Sequence, residues 1–165
     1  MQTPASDKDL PFAELDTLYR RLFSAIDVEN RQVVLKILGL LIFQPQGFNR
    51  PFSEVDLIVS VLSLEPGQIE FYLADLASIL ERKVGNTTDD NDEIRITHAS
   101  LSDFFLDPHR SKEFHINESA FYAELALIYS DHLTQIDTTP SQCTYSDRLI
   151  ILLIVLKTIS RYLRC

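Results

Sequence analysis

Apolar residues recur at three- and four-residue steps near the start of the chain: Phe12, Leu15, Leu18, Tyr19, Leu22, Phe23 and Ile26. That spacing lays them along one stripe of an amphipathic helix. The polar run Asp27 to Asn30 predicts a break. A second helix then runs from about Arg31 to Phe43, carrying Val33, Val34, Ile37, Leu38, Leu40, Leu41 and Ile42. Its end is apolar on nearly every side, which predicts a central place in the core. Gln44 to Pro51 holds two prolines, a glycine and an asparagine and reads as a loop, with Phe52 in a short extended stretch after it. Ser53 followed by Asp56 resembles a capping box and opens a third helix, with Val55, Ile58, Val59 and Leu62 inward. Pro66 suits the first position of a fourth helix, since its missing donor would be unsatisfied there anyway. Ile69, Tyr72, Leu73, Leu76, Ile79 and Leu80 draw its stripe.

The period then changes. Arg82 to Val84 and Ile94 to Thr97 read as two short strands, joined by the glycine-led acidic connector "GNTTDDND". Three helices followed by a hairpin with a long tip is the element order of a winged-helix domain, with the acidic connector as its wing. The second strand delivers His98 to the start of "ASLSDFFLDPH", where Ser100 and Asp103 are expected to cap a short helix ending at Leu106 and an Asp-Pro stop. Phe114 to Ile116 reads as extended. Asn117 opens a last periodic helix to about Leu133, with Phe121, Leu125, Ile128 and Leu133 inward. Asp137 to Ser146 is a polar linker, and Asp147 to Leu163 is a strongly apolar helix candidate. The expected organisation is mainly α: a flexible tail at 1–11, a linking helix at 12–30, a winged-helix domain at 31–106, a helical segment at 107–136, and a linker with an apolar C-terminal helix at 137–165.

Charge changes the functional picture more than composition does. An apolar fraction of 45% and a charged fraction of 24% are those of an ordinary soluble domain. The formal charge of −9, however, opposes approach to phosphate, so no nucleic-acid partner is expected. The exposed side of the fourth helix, where a DNA-reading winged helix needs Lys or Arg, offers Gln68, Glu70, Asp75 and Ser78. Cys143 and Cys165 form neither a metal spacing nor a disulfide framework, and with no signal peptide the expected location is cytoplasmic. The run Leu149 to Leu156 is far shorter than the ~20 residues of a bilayer span, so no membrane partner is expected.

Candidate chemistry is sparse. Gly39, Gly47, Gly67 and Gly85 are scattered and make no phosphate-cradling loop. His98, His109, His115 and His132 never take the spacing of a helical metal pair. Asp89, Asp90, Asp92 and Glu93 lack the glycine and terminal glutamate positions of a calcium loop and read as a solvated charge run. No catalytic residue, metal ligand or cofactor is assigned to this chain. His98 is the exception worth weighing. A histidine at a strand end is most often structural, bonding the turn that follows. Beside a helix start, with free backbone donors and a positive dipole end, it also has the makings of an anion sensor.

The stretch "ITHASLSDFFLDPHRSKEFHI" resembles the His-x-Ser-Phe-x-Asp-Phe-Leu segment that follows the nucleotide-binding domain in fungal NACHT-type NTPases, with Leu101 where that pattern has Phe. "LDTLYRRLFSAI", "VLKILGLLIF" and "DLIVSVLSLEPGQIEFYLADLASIL" are similar to the helices preceding it, and the likeness covers about Leu15 to Leu133. These proteins belong to the STAND class of signal-transducing ATPases. The resemblance implies a regulatory winged-helix and helical region, not a catalyst, which folds back on bound ADP and holds a receptor closed. It makes His98 the nucleotide-sensing residue, with Ser100 and Asp103 supporting its helix. ADP or ATP would come in trans or from a P-loop module upstream of Met1, and the partner would be that nucleotide-binding domain. Two other readings stand beside it: a stand-alone interaction module self-associating through Leu149–Leu156, and a DNA-binding winged helix, which the acidic charge disfavours.

Overall fold

A computed structural model describes residues 12–43, 54–65, 67–83 and 92–136. The expected tail at 1–11, the Gln44–Pro51 loop, Phe52, the Ser53 cap, Pro66, Val84, the acidic connector as far as Asn91 and everything after Ile136 lie outside the described residues. The chain divides into two compact units, one ending at Asn117 and the other beginning at Glu118. Residues 107–117, expected to start a separate helical segment, therefore belong with the first unit.

Helix α1 (Ala13–Ala25) buries Tyr19 and Phe23, and Ile26 is buried just past its end; Leu18 and Phe12 of the same stripe stay about half exposed. It stops at Ile26, whose extended backbone carries the chain out of the helix. The break expected over Asp27 to Asn30 is a single turn. The Asp27 carbonyl accepts from Asn30 N–H at 2.9 Å and Arg31 N–H at 3.0 Å, so α2 (Val28–Ile42) already starts at Val28. Arg31 reaches back to the open end of α1, its Nη2 donating to the Ile26 carbonyl at 3.2 Å and the Ser24 carbonyl at 3.4 Å. Such a cation satisfies carbonyls that the helix leaves unpaired. Val34, Ile37 and Leu38 are completely buried, which is the central role their all-round apolarity predicted.

Helix α3 (Glu54–Leu62) buries Ile58 and Val61. The fourth helix is where sequence and structure part most. α4 spans only Gln68–Leu73, tightens to a 3-10 turn at 74–76, and the chain is already strand at Leu80. Gly67 precedes it at φ 86°, a left-handed conformation that costs glycine nothing and penalises residues with a Cβ. Gln68 closes the start by accepting the Glu65 N–H on its Oε1 at 2.8 Å. Strands β1 (Leu80–Lys83) and β2 (Glu93–Ile96) pair antiparallel, with Leu80 opposite Ile96 and Arg82 opposite Ile94. Leu80 and Ile94 are buried, and Thr97 extends the pairing by donating both its N–H and its hydroxyl to the Ile79 carbonyl, at 3.1 and 3.0 Å. Leu76, Ile79 and Leu80 thus stay in the core as predicted, but by a turn and a strand end, because pairing with Ile96 outweighs the helical period.

Helix α5 (Ala99–Leu106) follows at once and supplies the deepest layer. Phe104 and Phe105 are fully buried, and Phe23 of α1 sits edge-on to Phe105 at a centroid distance of 4.8 Å. Phe114, also fully buried, lies 5.9 Å from Phe23, and Arg31 covers its ring at 5.2 Å. Asp107-Pro108 ends α5 as predicted and also starts the one-turn α6 (Pro108–Ser111). The Asp107 carboxylate accepts the N–H groups of His109 and Arg110, with proline in the first turn. In the second unit, α7 (Glu118–Ile136) has Phe121 and Leu125 buried and Ile128 half-buried, matching three of its four predicted inward positions; nothing is described of the Leu133 side chain. Among the described residues the architecture is thus mainly helical with one small two-stranded antiparallel sheet.

Candidate functional site

The join between β2 and α5 is built by local necessity. β2 must end where Thr97 ties back to Ile79, and α5 must start where Phe104 and Phe105 can turn inward. His98 is the residue between them. Its backbone is extended (φ −130°, ψ 118°), and its carbonyl accepts the Leu101 N–H at 3.0 Å, so His98 itself is the N-cap residue. This corrects the expectation that Ser100 and Asp103 cap the helix. Ser100 lies within the first turn, Asp103 is exposed on the second, and no side chain caps α5. The side-chain cap in this region belongs to Asp107 and serves α6. The first turn of α5 contains no acidic residue of its own either.

The Ser100 hydroxyl is occupied elsewhere. Its Oγ lies 2.6 Å from His98 Nδ1 and 2.9 Å from the Tyr19 hydroxyl, forming a three-member chain from the interior to the surface. Tyr19 is only 2% exposed, Ser100 is buried, and His98 is exposed. Tyr19 escaped the sequence reading because it was counted as one apolar position among seven. The available signal was its hydroxyl, which needs a partner when the ring is buried. Its ring packs at 5.3 Å on Phe104, so the same contact that forms the core delivers the hydroxyl to Ser100.

A second polar cluster lies one turn earlier on the buried face of α1. Asp16, only 4% exposed, receives two hydrogen bonds from Arg110 Nε and one from Nη2, at 3.2, 3.1 and 2.8 Å. The Arg110 guanidinium also covers the Phe12 ring at 5.1 Å, and its carbonyl accepts from Arg20 Nη1 at 3.1 Å. Asp16 holds Arg110 still more firmly protonated than an arginine ordinarily is. The pair locks α6 against α1 and offers no open coordination position. Sequence spacing gave no hint of it, because the two residues lie far apart in the chain.

Against these arrangements, nucleophilic catalysis fits poorly. A serine near a histidine can be a nucleophile and its base. Here, though, the serine is buried with its oxygen shared by Tyr19, and among the described residues no carboxylate orients the histidine. His109 and His115 do not join His98: His109 is exposed on α6, and His115 Nδ1 donates to the Phe105 carbonyl at 3.0 Å. Nothing is described of the His132 side chain, and Cys143 lies outside the described residues. Among the described residues no three His, Cys, Asp or Glu side chains gather as a metal site, and no helix is long and apolar enough to cross a membrane. A shallow depression of about 380 Å³ lies between α4 and the hairpin, floored by Ile69, Leu73, Leu80 and Ile94 and edged by Glu70 and Arg82; His98 is not among its walls. No family model, curated protein or solved structure matches the chain.

Proposed function

We propose that this chain is the regulatory region of a STAND-type NACHT ATPase, a winged-helix and helical lid that reads nucleotide state and performs no chemistry of its own. The observation that carries the reading is the join at His98. An exposed imidazole, braced through Nδ1, stands at the start of an eight-residue helix whose first turn has neither a side-chain cap nor an acid. Backbone donors at a helix start, its positive dipole end and a histidine together make a phosphate-facing surface. The order of elements supports the same reading: helices, a two-stranded hairpin, then the His-x-Ser helix of the resemblance. In this reading ADP or ATP is held by a nucleotide-binding domain of the same or a related protein, the location is cytoplasmic, and the hairpin tip is the wing. The acidic charge and the short α4 with the turns after it, where Gln68, Glu70, Asp75 and Ser78 are exposed, speak for a protein-facing wing rather than a DNA-reading one.

The test begins with the size of the native product in cell extract, detected with an antibody to this chain. A product several times larger is expected. In that protein, His98→Ala should weaken ADP retention roughly ten-fold or more, the worth of one charge-assisted contact. A native product of this chain's own size, or unchanged ADP retention in the variant, overturns the reading. The first of those outcomes moves the self-associating module to the front, with gel filtration of the intact chain as its check.

A further inference from the structure

The chain of hydroxyls behind His98 has a direction, and that direction is set by burial. The Tyr19 phenol is 2% exposed, and its oxygen has one partner among the described residues, Ser100 Oγ at 2.9 Å. Three arrangements of protons are possible. In the first, Tyr19 donates to Ser100 and Ser100 donates to His98 Nδ1. In the second, His98 Nδ1–H donates to Ser100, Ser100 donates to Tyr19, and the buried phenol hydrogen has no acceptor among the described residues. In the third, Ser100 accepts from both His98 Nδ1–H and Tyr19, and its own buried hydroxyl hydrogen is the one without an acceptor among the described residues. Leaving a buried hydroxyl hydrogen without an acceptor costs the full desolvation of that group, whereas the first arrangement satisfies every donor. The bond made by one imidazole nitrogen then decides the state of the other.

We propose that Tyr19 and Ser100 are positioning residues that hold neutral His98 in the tautomer with its proton on Nε2. The exposed edge of the ring is thereby a hydrogen-bond donor, and the partner it fits is an anionic oxygen such as a phosphate. A ring held in the opposite tautomer would present a bare acceptor nitrogen that repels the same group, and an unconstrained ring would present it part of the time. The geometry of the relay stands independently; assigning it a phosphate partner rests on the function proposed above.

Nitrogen-15 NMR of the imidazoles in the intact chain, without nucleotide and at a pH where His98 is neutral, reads the tautomer directly. The wild-type spectrum should show the proton on Nε2 in roughly ten-fold or greater excess, the scale set by an orphaned buried hydroxyl. Ser100→Ala should collapse that excess towards a mixture, Tyr19→Phe should reduce it, and Ser100→Thr should restore it. A purely structural serine would change stability without moving the tautomer. A proton on Nδ1 in the wild type, or an excess unchanged in Ser100→Ala, overturns the relay. Should Ser100→Ala not fold, the wild-type and Tyr19→Phe spectra decide the matter. Because no nucleotide is present, a failure of ADP retention to depend on His98 sinks the proposed function and leaves this result intact.

Discussion

Two ion-paired regions of the first unit use the same chemistry with opposite consequences. At the α1–α5–α6 joint, Asp16 and Arg110 are nearly out of solvent, with side chains 6% and 15% exposed, and the same helices carry the fully buried Phe23, Phe104 and Phe105. At the hairpin edge, Arg82 bridges Glu70 and Asp92, but its own side chain is 35% exposed and that of Glu70 is 47% exposed. Counting salt bridges would rank the hairpin first, with two partners on one guanidinium. Burial reverses the order. A buried pair is costly to break because the remaining charge is stranded, while an exposed pair exchanges readily for water. The joint that braces Tyr19 is therefore stiff, and the hairpin edge is the adaptable side.

The sharpest way to break that comparison is to empty the joint. Phe105→Ala removes a ring that touches Phe23 and Phe104, at centroid distances of 4.8 and 5.3 Å. The expected loss is about 3–5 kcal/mol of unfolding free energy, read by urea denaturation. A loss below ~1 kcal/mol would mean that the joint is not the core of the unit. Next in size is Arg110→Ala, which leaves Asp16 buried without its cation and should cost about 3 kcal/mol. Adding Asp16→Leu to it should recover much of that loss, since the stranded charge is then gone. If the double variant is no better than the single one, the cost was lost packing over Phe12 and not charge.

How much of this joint was legible beforehand divides by the range of the interaction. Tyr19, Phe23, Val34, Ile37, Leu38, Ile58 and Leu76 were all placed inward by periodicity, and all are buried. Periodicity says which face is apolar, and burial follows from that face. It does not say how the backbone gets there, so the helix drawn through Leu80 is in fact a short helix, a tight turn and a strand end. The candidate site shows the same limit. His98 stood out because it marks a change of period, and local signals sufficed to find it. Its bracing did not, because the Tyr19–Ser100 bond crosses most of the unit and depends on α1 packing against α5. Asp16 drew no notice for the same reason, since its partner Arg110 lies on α6. Capping was misassigned to Ser100 and Asp103 because the Ser-x-x-Asp pattern is right for a cap, yet Tyr19 and His98 compete successfully for that hydroxyl.

The smallest effect should appear at the hairpin edge, and pH identifies it. The hydrogen bond from Arg82 lowers the Glu70 pKa below its ordinary value of 4.5, outweighing the modest desolvation that would raise it. A carboxylate whose folded-state pKa is depressed adds stability above its unfolded pKa and loses it as the pH falls through the folded value. Arg82→Ala should therefore cost less than about 1 kcal/mol at pH 7, and the cost should shrink with added salt because both partners face solvent. Below pH 4.5 the gap between variant and wild type should narrow further as Glu70 takes up its proton. Thermal unfolding of the two proteins at neutral and acidic pH, with and without salt, measures this directly. A gap as large as that of Arg110→Ala, or one that ignores both salt and acid, would erase the distinction between the two regions. Arg82 would then brace the hairpin through packing of its stem over Ile69 and Ile94, beside the shallow depression whose edge it forms.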